Sequence, residues 1–173
     1  MKKHIIGWLL AGCILSLSLM AQTRNDKSVI RRRIVGTWRL VLTESTLKDG
    51  SKRNDYGPNG KGFLVYSADG HMCVVGMDPD RPKWKNPDNP TQAEKASAFD
   101  TSNGYCGPYE IDAKHIQLVH LPEVSTWPGY VGTRQIRPYR FEGDRLIFSG
   151  GTLEDEPDVA SWTVMWERVK QND

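Results

Sequence analysis

Hydrophobic and polar positions alternate along most of the chain, and the first clear example follows Gly36. Apolar residues occupy every second position on one face, namely Trp38, Leu40 and Leu42. A period of two residues is typical of a β-strand, so we predict the first strand here. The segment Trp162–Arg168 alternates in the same way near the end of the chain. If these two strands pair, Arg168 can lie over the ring of Trp38 in a cation–π contact and close one end of the sheet.

The same alternation recurs through the chain and predicts about eight strands joined by short turns. Between the first and last, the predicted strands are residues 61–67, 71–77, 105–112, 116–121, 133–141 and 145–149. Turn sequences such as Ala68-Asp69-Gly70 connect neighbours in the way of hairpins. No helices alternate with the strands, which excludes a parallel α/β fold. An antiparallel meander of this length closes best as an up-and-down β-barrel, so the predicted fold class is all-β.

One long insertion interrupts the pattern between residues 78 and 104. Four prolines exclude regular structure in its first half: Pro79, Pro82, Pro87 and Pro90. Thr91–Phe99 has the composition of a helix, with Thr91 as its N-cap and Glu94 three residues later, the spacing of a capping box. Long insertions of this kind often cover a cavity, so we expect this one to roof an end of the barrel.

The first 21 residues have the pattern of a secretory signal. Two lysines precede an apolar run from Ile5 to Met20, and Ala21 is a small residue at a plausible cleavage site. The run is shorter than the roughly 20 residues that span a bilayer. Leu10-Ala11-Gly12-Cys13 offers an alternative, a bacterial lipobox in which Cys13 becomes a lipidated N-terminus. We expect export to the periplasm or beyond, with a lipoprotein anchored through Cys13 as the alternative.

The predicted division of the chain is a signal peptide (1–21), a polar segment (22–33) and a barrel domain (34–170). The 23 Lys and Arg residues exceed the 21 Asp and Glu residues by two, and loss of Lys2 and Lys3 with the signal makes the formal charge zero. This balance gives no reason to expect a nucleic acid or an anionic membrane as a partner. We expect a monomer.

Two cysteines remain after the signal, Cys73 and Cys106. An exported protein meets an oxidising compartment, where the pair can form a disulfide. The alternative is a pair of small buried hydrophobic side chains. The sequence leaves both interpretations open, because it does not supply the distance between the two Cα atoms.

Familiar patterns of metal and cofactor sites are missing from the sequence. The histidines are dispersed, and no group of His, Cys and carboxylate residues has the spacing of metal ligands. No glycine-rich phosphate loop leads from a strand into a helix. We therefore expect neither a metal nor a cofactor.

Polar residues on a face that should be buried are the best functional signal. In the predicted strand 133–141, every second residue shares one face: Gln135, Arg137, Tyr139 and Phe141. The two aromatic residues favour the interior for this face, and a buried Arg needs a partner. Alternation in the first strand offers Glu44 as that partner, and a ligand carboxylate is the other candidate. The alternative interpretation has Ile136 inward and the polar set in water.

His120 shares a face with Ile116 and Leu118 and is predicted to point inward. Beside a carboxylate such as Glu123, a neutral imidazole could act as a general base. The alternative is a core histidine whose hydrogen bonds are all satisfied within the protein.

Six short motifs occur in order along the chain after the signal. They are Gly36-Thr37-Trp38-Arg39-Leu40-Val41, Gly62-Phe63-Leu64-Val65-Tyr66, Asp69-Gly70-His71-Met72-Cys73, Asp80-Arg81-Pro82, Tyr105-Cys106-Gly107-Pro108-Tyr109-Glu110 and Gly143-Asp144-Arg145-Leu146. The ordered set resembles the bacterial and fungal lipocalin-like domain family. Gly36-x-Trp38 with a late Arg168 also resembles the closed end of true lipocalins. The resemblance implies a calycin-type barrel with an interior cavity, and it implies no particular reaction.

These observations lead to one expected function and two alternatives. The closed meander, the insertion and the lack of a catalytic cluster favour an exported protein that holds a small apolar or amphipathic ligand in the barrel. The candidate ligand-binding residues are Arg137, Tyr139, Gln135, Glu44 and His120. The first alternative is a small barrel enzyme of the isomerase, cyclase or hydratase type. The second is a structural or interaction module whose barrel is filled by its own side chains.

Overall fold

The computed structural model describes residues 26–153 and 156–170 of the chain. The predicted signal peptide and Cys13 lie outside the described residues. Residues 26–34 form helix α1. The elements that follow are β1 (Gly36–Leu47), β2 (Lys52–Arg53), β3 (Lys61–Tyr66), β4 (His71–Met77), α2 (Gln92–Asp100), β5 (Ser102–Asp112), β6 (Gln117–His120), β7 (Val124–Ser125), a 3-10 turn (Pro128–Tyr130), β8 (Gln135–Glu142), β9 (Arg145–Gly150) and β10 (Val159–Arg168).

Eight of these strands form the wall of a closed antiparallel barrel. Their order around the wall is β1-β3-β4-β5-β6-β8-β9-β10, and β10 pairs back with β1. The short strands β2 and β7 add to β1 and β5. The all-β barrel predicted from hydrophobic alternation is confirmed. Closure pairs the first strand with the last, so the wall has no free edge.

Trp38 and helix α1 close one end of the barrel, here called the closed end. The Trp38 side chain is only 1% exposed, and its indole Nε1 donates a hydrogen bond to the backbone oxygen of Ile34 at 2.8 Å. Arg168 lies opposite Trp38 in the register of β1 and β10, with its guanidinium over the indole ring. The cation–π contact predicted from the sequence is therefore present. We call the opposite end, where β1 ends and β8 and β10 begin, the far end.

A β-bulge in β1 exchanges its inward and outward faces. Leu40 pairs with Trp166, but the next paired residue is Leu42 rather than Val41. One extra residue moves every later side chain to the opposite face. Thr43 and Ser45 are accordingly buried, 4% and 3% exposed, and Glu44 between them points outward. The prediction that Leu42 and Glu44 share the inner face of Trp38 is wrong.

Cys73 of β4 and Cys106 of β5 occupy directly opposite positions in the sheet register and form a disulfide. Their Cα atoms are 4.1 Å apart. Their neighbours Met72 and Tyr105 are buried, so the two sulfur atoms lie on the outer face of the wall. The sequence left two interpretations of this cysteine pair open, and the structure contains the disulfide.

The insertion between β4 and β5 carries helix α2, and its predicted capping box is confirmed. The Thr91 hydroxyl accepts a hydrogen bond from the Glu94 backbone N–H at 3.2 Å, and the Glu94 carboxylate accepts one from the Thr91 N–H at 2.8 Å. No residue of α2 is buried. Arg81 attaches the helix to the barrel by donating to the Ala98 backbone oxygen and to the Met77 sulfur. That the insertion roofs the far end stays a prediction.

Candidate functional site

Strand β8 supplies the polar side chains of the barrel interior. Its residues alternate between partly buried and exposed along the whole strand, and the partly buried face carries Gln135, Arg137, Tyr139 and Phe141. Because β8 has no bulge, the alternation seen in the sequence survives in the fold. Ile136 is an exposed residue, so the alternative with the polar set in water does not apply.

The two halves of this face belong to different ends of the barrel. The Phe141 ring centroid lies 6.4 Å from that of Trp38, and Tyr139 packs edge-on against Phe141 at 5.5 Å. Arg33 lies over the Phe141 ring, so this pair is part of the closed end. Arg137 and Gln135 lie toward the far end. Tyr139 therefore does not join the polar cluster that the sequence predicted around Arg137.

Within the described part of the chain, the hydrogen bonds of Arg137 go to neutral groups. Its Nη2 donates to the Gln135 Oε1 at 3.1 Å and to the Tyr105 hydroxyl at 3.4 Å, and its Nη1 donates to the Ile136 backbone oxygen at 3.0 Å. Among the described residues, no carboxylate lies within ion-pair distance of the guanidinium. The predicted partner, Glu44, forms an ion pair with Lys52 at 2.7 Å on the outside of the barrel. The interior therefore holds a cation without an anion from the described chain.

The neighbours of Arg137 keep it charged. Burial by itself would lower the pKa of this guanidinium, but the hydroxyls of Tyr105, Tyr130 and Tyr66 favour the charged form, and the net change in the pKa is upward. An arginine stays protonated at any pH that a folded protein meets. The far end thus carries a permanent positive charge surrounded by phenol groups.

His120 is fully buried, 1% exposed, and both of its ring nitrogens meet tyrosine hydroxyls. Nε2 lies 2.5 Å from the Tyr66 hydroxyl oxygen, and Nδ1 lies 2.8 Å from that of Tyr105. Burial lowers the pKa of His120 well below its usual range, and the charge of Arg137 lowers it further. The imidazole is therefore neutral, with one nitrogen donating and the other accepting. The inward orientation predicted for His120 is present, but its partners are tyrosines rather than Glu123.

Two glycines in the strands make room for aromatic rings at the far end. A Cβ atom on Gly76 would lie 2.5 Å from the ring of Tyr56, and one on Gly150 would lie 2.7 Å from the indole of Trp162. Arg137 lies near this indole, with its Cζ 5.8 Å from the ring centroid. Glycine inside a strand commonly marks such a close approach.

Sequence reasoning missed the aromatic residues around Arg137: Tyr56, Tyr66, Tyr105, Tyr130 and Trp162. The sequence pattern could have identified Tyr105, because alternation places it on the inner face of β5. The Tyr130 ring centroid lies 5.8 Å from that of Tyr105, but Tyr130 comes from a 3-10 turn that has no such period. Only closure of the barrel brings these five residues to one place.

The sequence model of a family described as the lipocalin-like domain matches residues 35–169. This chain belongs to the lipocalin-like domain family. A search of the curated proteins finds no match to it. Lipocalin-like folds commonly bind small hydrophobic ligands, so the family membership indicates a ligand-binding fold.

Two concavities are found among the described residues of the lipocalin-like domain. One of about 410 Å³ is bordered by α1 and β5 and is lined by residues such as Lys27, Tyr109 and Arg134. Another of about 220 Å³ is lined by residues such as Pro108, Leu121 and Glu123. Neither includes Arg137. The middle of the barrel is occupied by core side chains such as Leu64, Leu118 and Phe148. At the far end, Arg137, Tyr130 and Trp162 are only partly buried.

The described ranges of the lipocalin-like domain contain no group of three His, Cys, Asp or Glu side chains placed to hold a metal ion. Within the same ranges, no helix is both long and apolar enough to cross a membrane.

Proposed function

We propose that this lipocalin-like barrel binds a small amphipathic molecule at its far end and holds the carboxylate, or a similar oxygen-rich head group, at Arg137. One observation carries the proposal. The Arg137 guanidinium lies in the barrel interior, donates only to neutral oxygens, and has no carboxylate partner among the described residues.

Arg137 lacks an anionic partner among the described residues, and this lack has an energetic cost. Moving an uncompensated charge out of water costs several kcal/mol, and well-packed apolar residues usually serve stability better at such a position. A ligand carboxylate would compensate the charge through charge-assisted hydrogen bonds, which are about twice as strong as neutral ones. The rings of Trp162 and Tyr130 at the same end would cover the apolar part of the ligand.

Export of the protein is part of the proposal. The signal pattern of Met1–Ala21 supports it, and so does the disulfide between Cys73 and Cys106, because disulfides persist mainly in oxidising compartments. A lipoprotein anchored through Cys13 is the alternative form of the exported protein.

One alternative function has an observation in its favour. Core side chains occupy the middle of the barrel, as expected of an interaction module with a filled interior. The enzyme hypothesis has less support, because Glu44 pairs with Lys52 and both His120 nitrogens are held by tyrosines. Neither Glu44 nor Glu123 is therefore a partner of Arg137 or His120.

Two measurements test the proposal. Native mass spectrometry of the protein purified from its own host should find a copurified small molecule. Fluorescence titration with 11-(dansylamino)undecanoic acid, an amphipathic monocarboxylate, should give saturable binding. Arg137→Met should weaken that binding more than about tenfold, since a hydrogen bond to a charged group contributes about 1.5–3 kcal/mol.

The matched control is Arg140→Met, because Arg140 lies on the outer face of the same strand and bonds Glu142 at 2.9 Å. It should leave the affinity unchanged. Absence of any binding, or equal affinity for the Arg137→Met and Arg140→Met variants, would contradict the proposal and favour the filled-barrel interaction module.

A further inference from the structure

We infer that the Tyr105 hydroxyl is the second anchor for the ligand head group, and that His120 and Tyr66 behind it orient its proton toward the ligand. This inference rests on the proposed function, because it concerns the same head-group site. It assigns to Tyr105 a direct contact with the ligand and to His120 and Tyr66 a positioning role.

A chain of four hydrogen-bonded polar groups crosses the barrel interior. The Tyr66 hydroxyl meets His120 Nε2 at 2.5 Å, His120 Nδ1 meets the Tyr105 hydroxyl at 2.8 Å, and that hydroxyl accepts from Arg137 Nη2 at 3.4 Å. Each group comes from a different strand of the wall, and Tyr66, Tyr105 and His120 are all buried. The chain of polar groups ends at Arg137, a cation of the barrel interior that lacks a carboxylate partner among the described residues.

The direction of the hydrogen bonds along this chain has two possible settings, because a neutral imidazole has one donor and one acceptor nitrogen. In the first setting, Nδ1–H donates to the Tyr105 oxygen and Nε2 accepts from the Tyr66 hydroxyl, which leaves the Tyr105 proton free to point elsewhere. In the second, the Tyr105 hydroxyl donates to Nδ1 and Nε2–H donates to the Tyr66 oxygen. The Tyr105 proton then takes part in the hydrogen bond to His120.

A carboxylate ligand selects the first setting. An ionised carboxylate can only accept hydrogen bonds, so every protein group that faces it must donate. An oxygen bound to the Arg137 guanidinium is close to the Tyr105 hydroxyl, because the two groups are already within 3.4 Å of each other. The Tyr105 proton can reach that oxygen only if His120 carries its own proton on Nδ1. The ligand therefore sets the tautomer of His120, and Tyr66 supports it by donating to Nε2.

Affinity measurements with 11-(dansylamino)undecanoic acid test the role of Tyr105. Tyr105→Phe removes one oxygen and should weaken binding at least about tenfold. The matched control is Tyr109→Phe, because Tyr109 lies on the same face of the same strand but donates to the Ser67 backbone oxygen at the closed end. It should change the affinity less than about twofold. The uncharged methyl ester of the probe should lose much less affinity from Tyr105→Phe than the acid does.

Nitrogen-15 NMR of His120 in the full chain tests the positioning role, first in the unmutated protein. With the probe at saturation, the imidazole should be protonated on Nδ1 and unprotonated on Nε2. Tyr66→Phe removes the donor to Nε2 and should reduce this tautomer, and it should weaken the acid probe although the Arg137 hydrogen bonds in the described residues go to Gln135, Ile136 and Tyr105 rather than to Tyr66. A bound state with the proton on Nε2 would overturn the inference.

The outcomes separate this inference from the proposed function. If Arg137→Met weakens the probe and Tyr105→Phe does not, the head-group site stands and the role of Tyr105 is wrong. If the probe does not bind at all, or binds with unchanged affinity to Arg137→Met, the proposed function fails and this inference fails with it.

Discussion

The Arg168 guanidinium lies over the indole of Trp38, with its Cζ 4.1 Å from the ring centroid. The same guanidinium donates to the backbone oxygens of Val35 and Arg33, at the point where helix α1 ends. Carbonyls at a helix C-terminus lack partners within the helix, and a cation there also suits the helix dipole. One side chain therefore connects the last strand, the first strand and the helix that closes the barrel.

Removal of the indole should destabilise the whole domain. We expect Trp38→Ala to lower the free energy of unfolding by about 3–5 kcal/mol, because it leaves a large cavity at the closed end. Urea unfolding followed by circular dichroism measures this loss. Trp84→Ala is the control, since Trp84 is 40% exposed and its removal should change stability by less than about 0.5 kcal/mol. Similar losses for the two variants would mean that the closed end contributes little to stability.

Gly36 should tolerate no side chain. Its φ angle is 133°, and a Cβ there would lie 2.7 Å from the Nη1 of Arg168. We expect Gly36→Ala to cost more than about 1–2 kcal/mol, because backbone strain and displacement of the guanidinium add together. Gly50→Ala is the matched control, since Gly50 also has a positive φ, of 86°, but has no atom within 4 Å of the added Cβ. Unfolding midpoints give the loss of stability of each variant, and the excess loss at Gly36 over Gly50 measures the contact with Arg168. Equal losses would contradict the role of Arg168 in closing the barrel.

Arg137→Met should leave the ligand-free protein as stable as before, or make it more stable. The reason is that a partly buried cation with no anionic partner among the described residues is costly, and an apolar side chain of similar length removes that cost. Thermal unfolding of the ligand-free protein measures the effect. A loss of about 3–5 kcal/mol would instead indicate that Arg137 is a structural part of the polar network, and it would weaken the case for a ligand site.

The disulfide should make a measurable contribution to stability. Thiol-specific labelling of denatured, unreduced protein from its native compartment should leave Cys73 and Cys106 unlabelled. The double variant Cys73→Ser, Cys106→Ser should lose about 2–4 kcal/mol, because the bridge links residues 33 positions apart and restricts the unfolded chain. Full labelling of both thiols would show that the bridge does not form in the cell.

Helix α2 should depend on the charge of Glu94. Hydrogen bonds from the Lys85 N–H, the Thr91 N–H and the Thr91 hydroxyl lower the pKa of this carboxyl to about 2. A lowered pKa in the folded state means that its stabilising effect is complete above the usual range of a glutamate and is lost as the pH falls toward 2. Backbone NMR shifts of α2 should therefore become less helical between about pH 4 and pH 2 while the barrel persists. Glu94→Ala should abolish that dependence, and Lys95→Ala should leave it intact.

Alternation in the sequence predicted most of the barrel and half of the candidate site. It located the eight wall strands within a few residues, and in β8 it placed Arg137 and Gln135 inside, because a strand without a bulge keeps one face inward along its length. The capping box of α2 was predictable for a similar reason. Thr91 and Glu94 interact within one turn of helix, so no distant part of the chain decides their contact.

The local sequence pattern failed in β1 because the bulge there depends on pairing with three other strands. β10 pairs along almost all of β1, and β3 and β2 pair with its two halves on the other side. One extra residue near Val41 moved Glu44 to the outside, away from Arg137. The alternating sequence pattern of β1 does not reveal this shift, because Leu42 and Glu44 fit a strand without a bulge equally well.

The sequence by itself determined the class of fold, because the period of two recurs along most of the chain, and it favoured an inward direction for Arg137 and His120, because each shares a face with apolar residues of its own strand. The partners of those two side chains were decided only by the tertiary structure. Tyr66, Tyr105 and Arg137 meet around His120 from different strands of the wall. Contacts of this kind depend on strand register and barrel closure, which no single segment encodes.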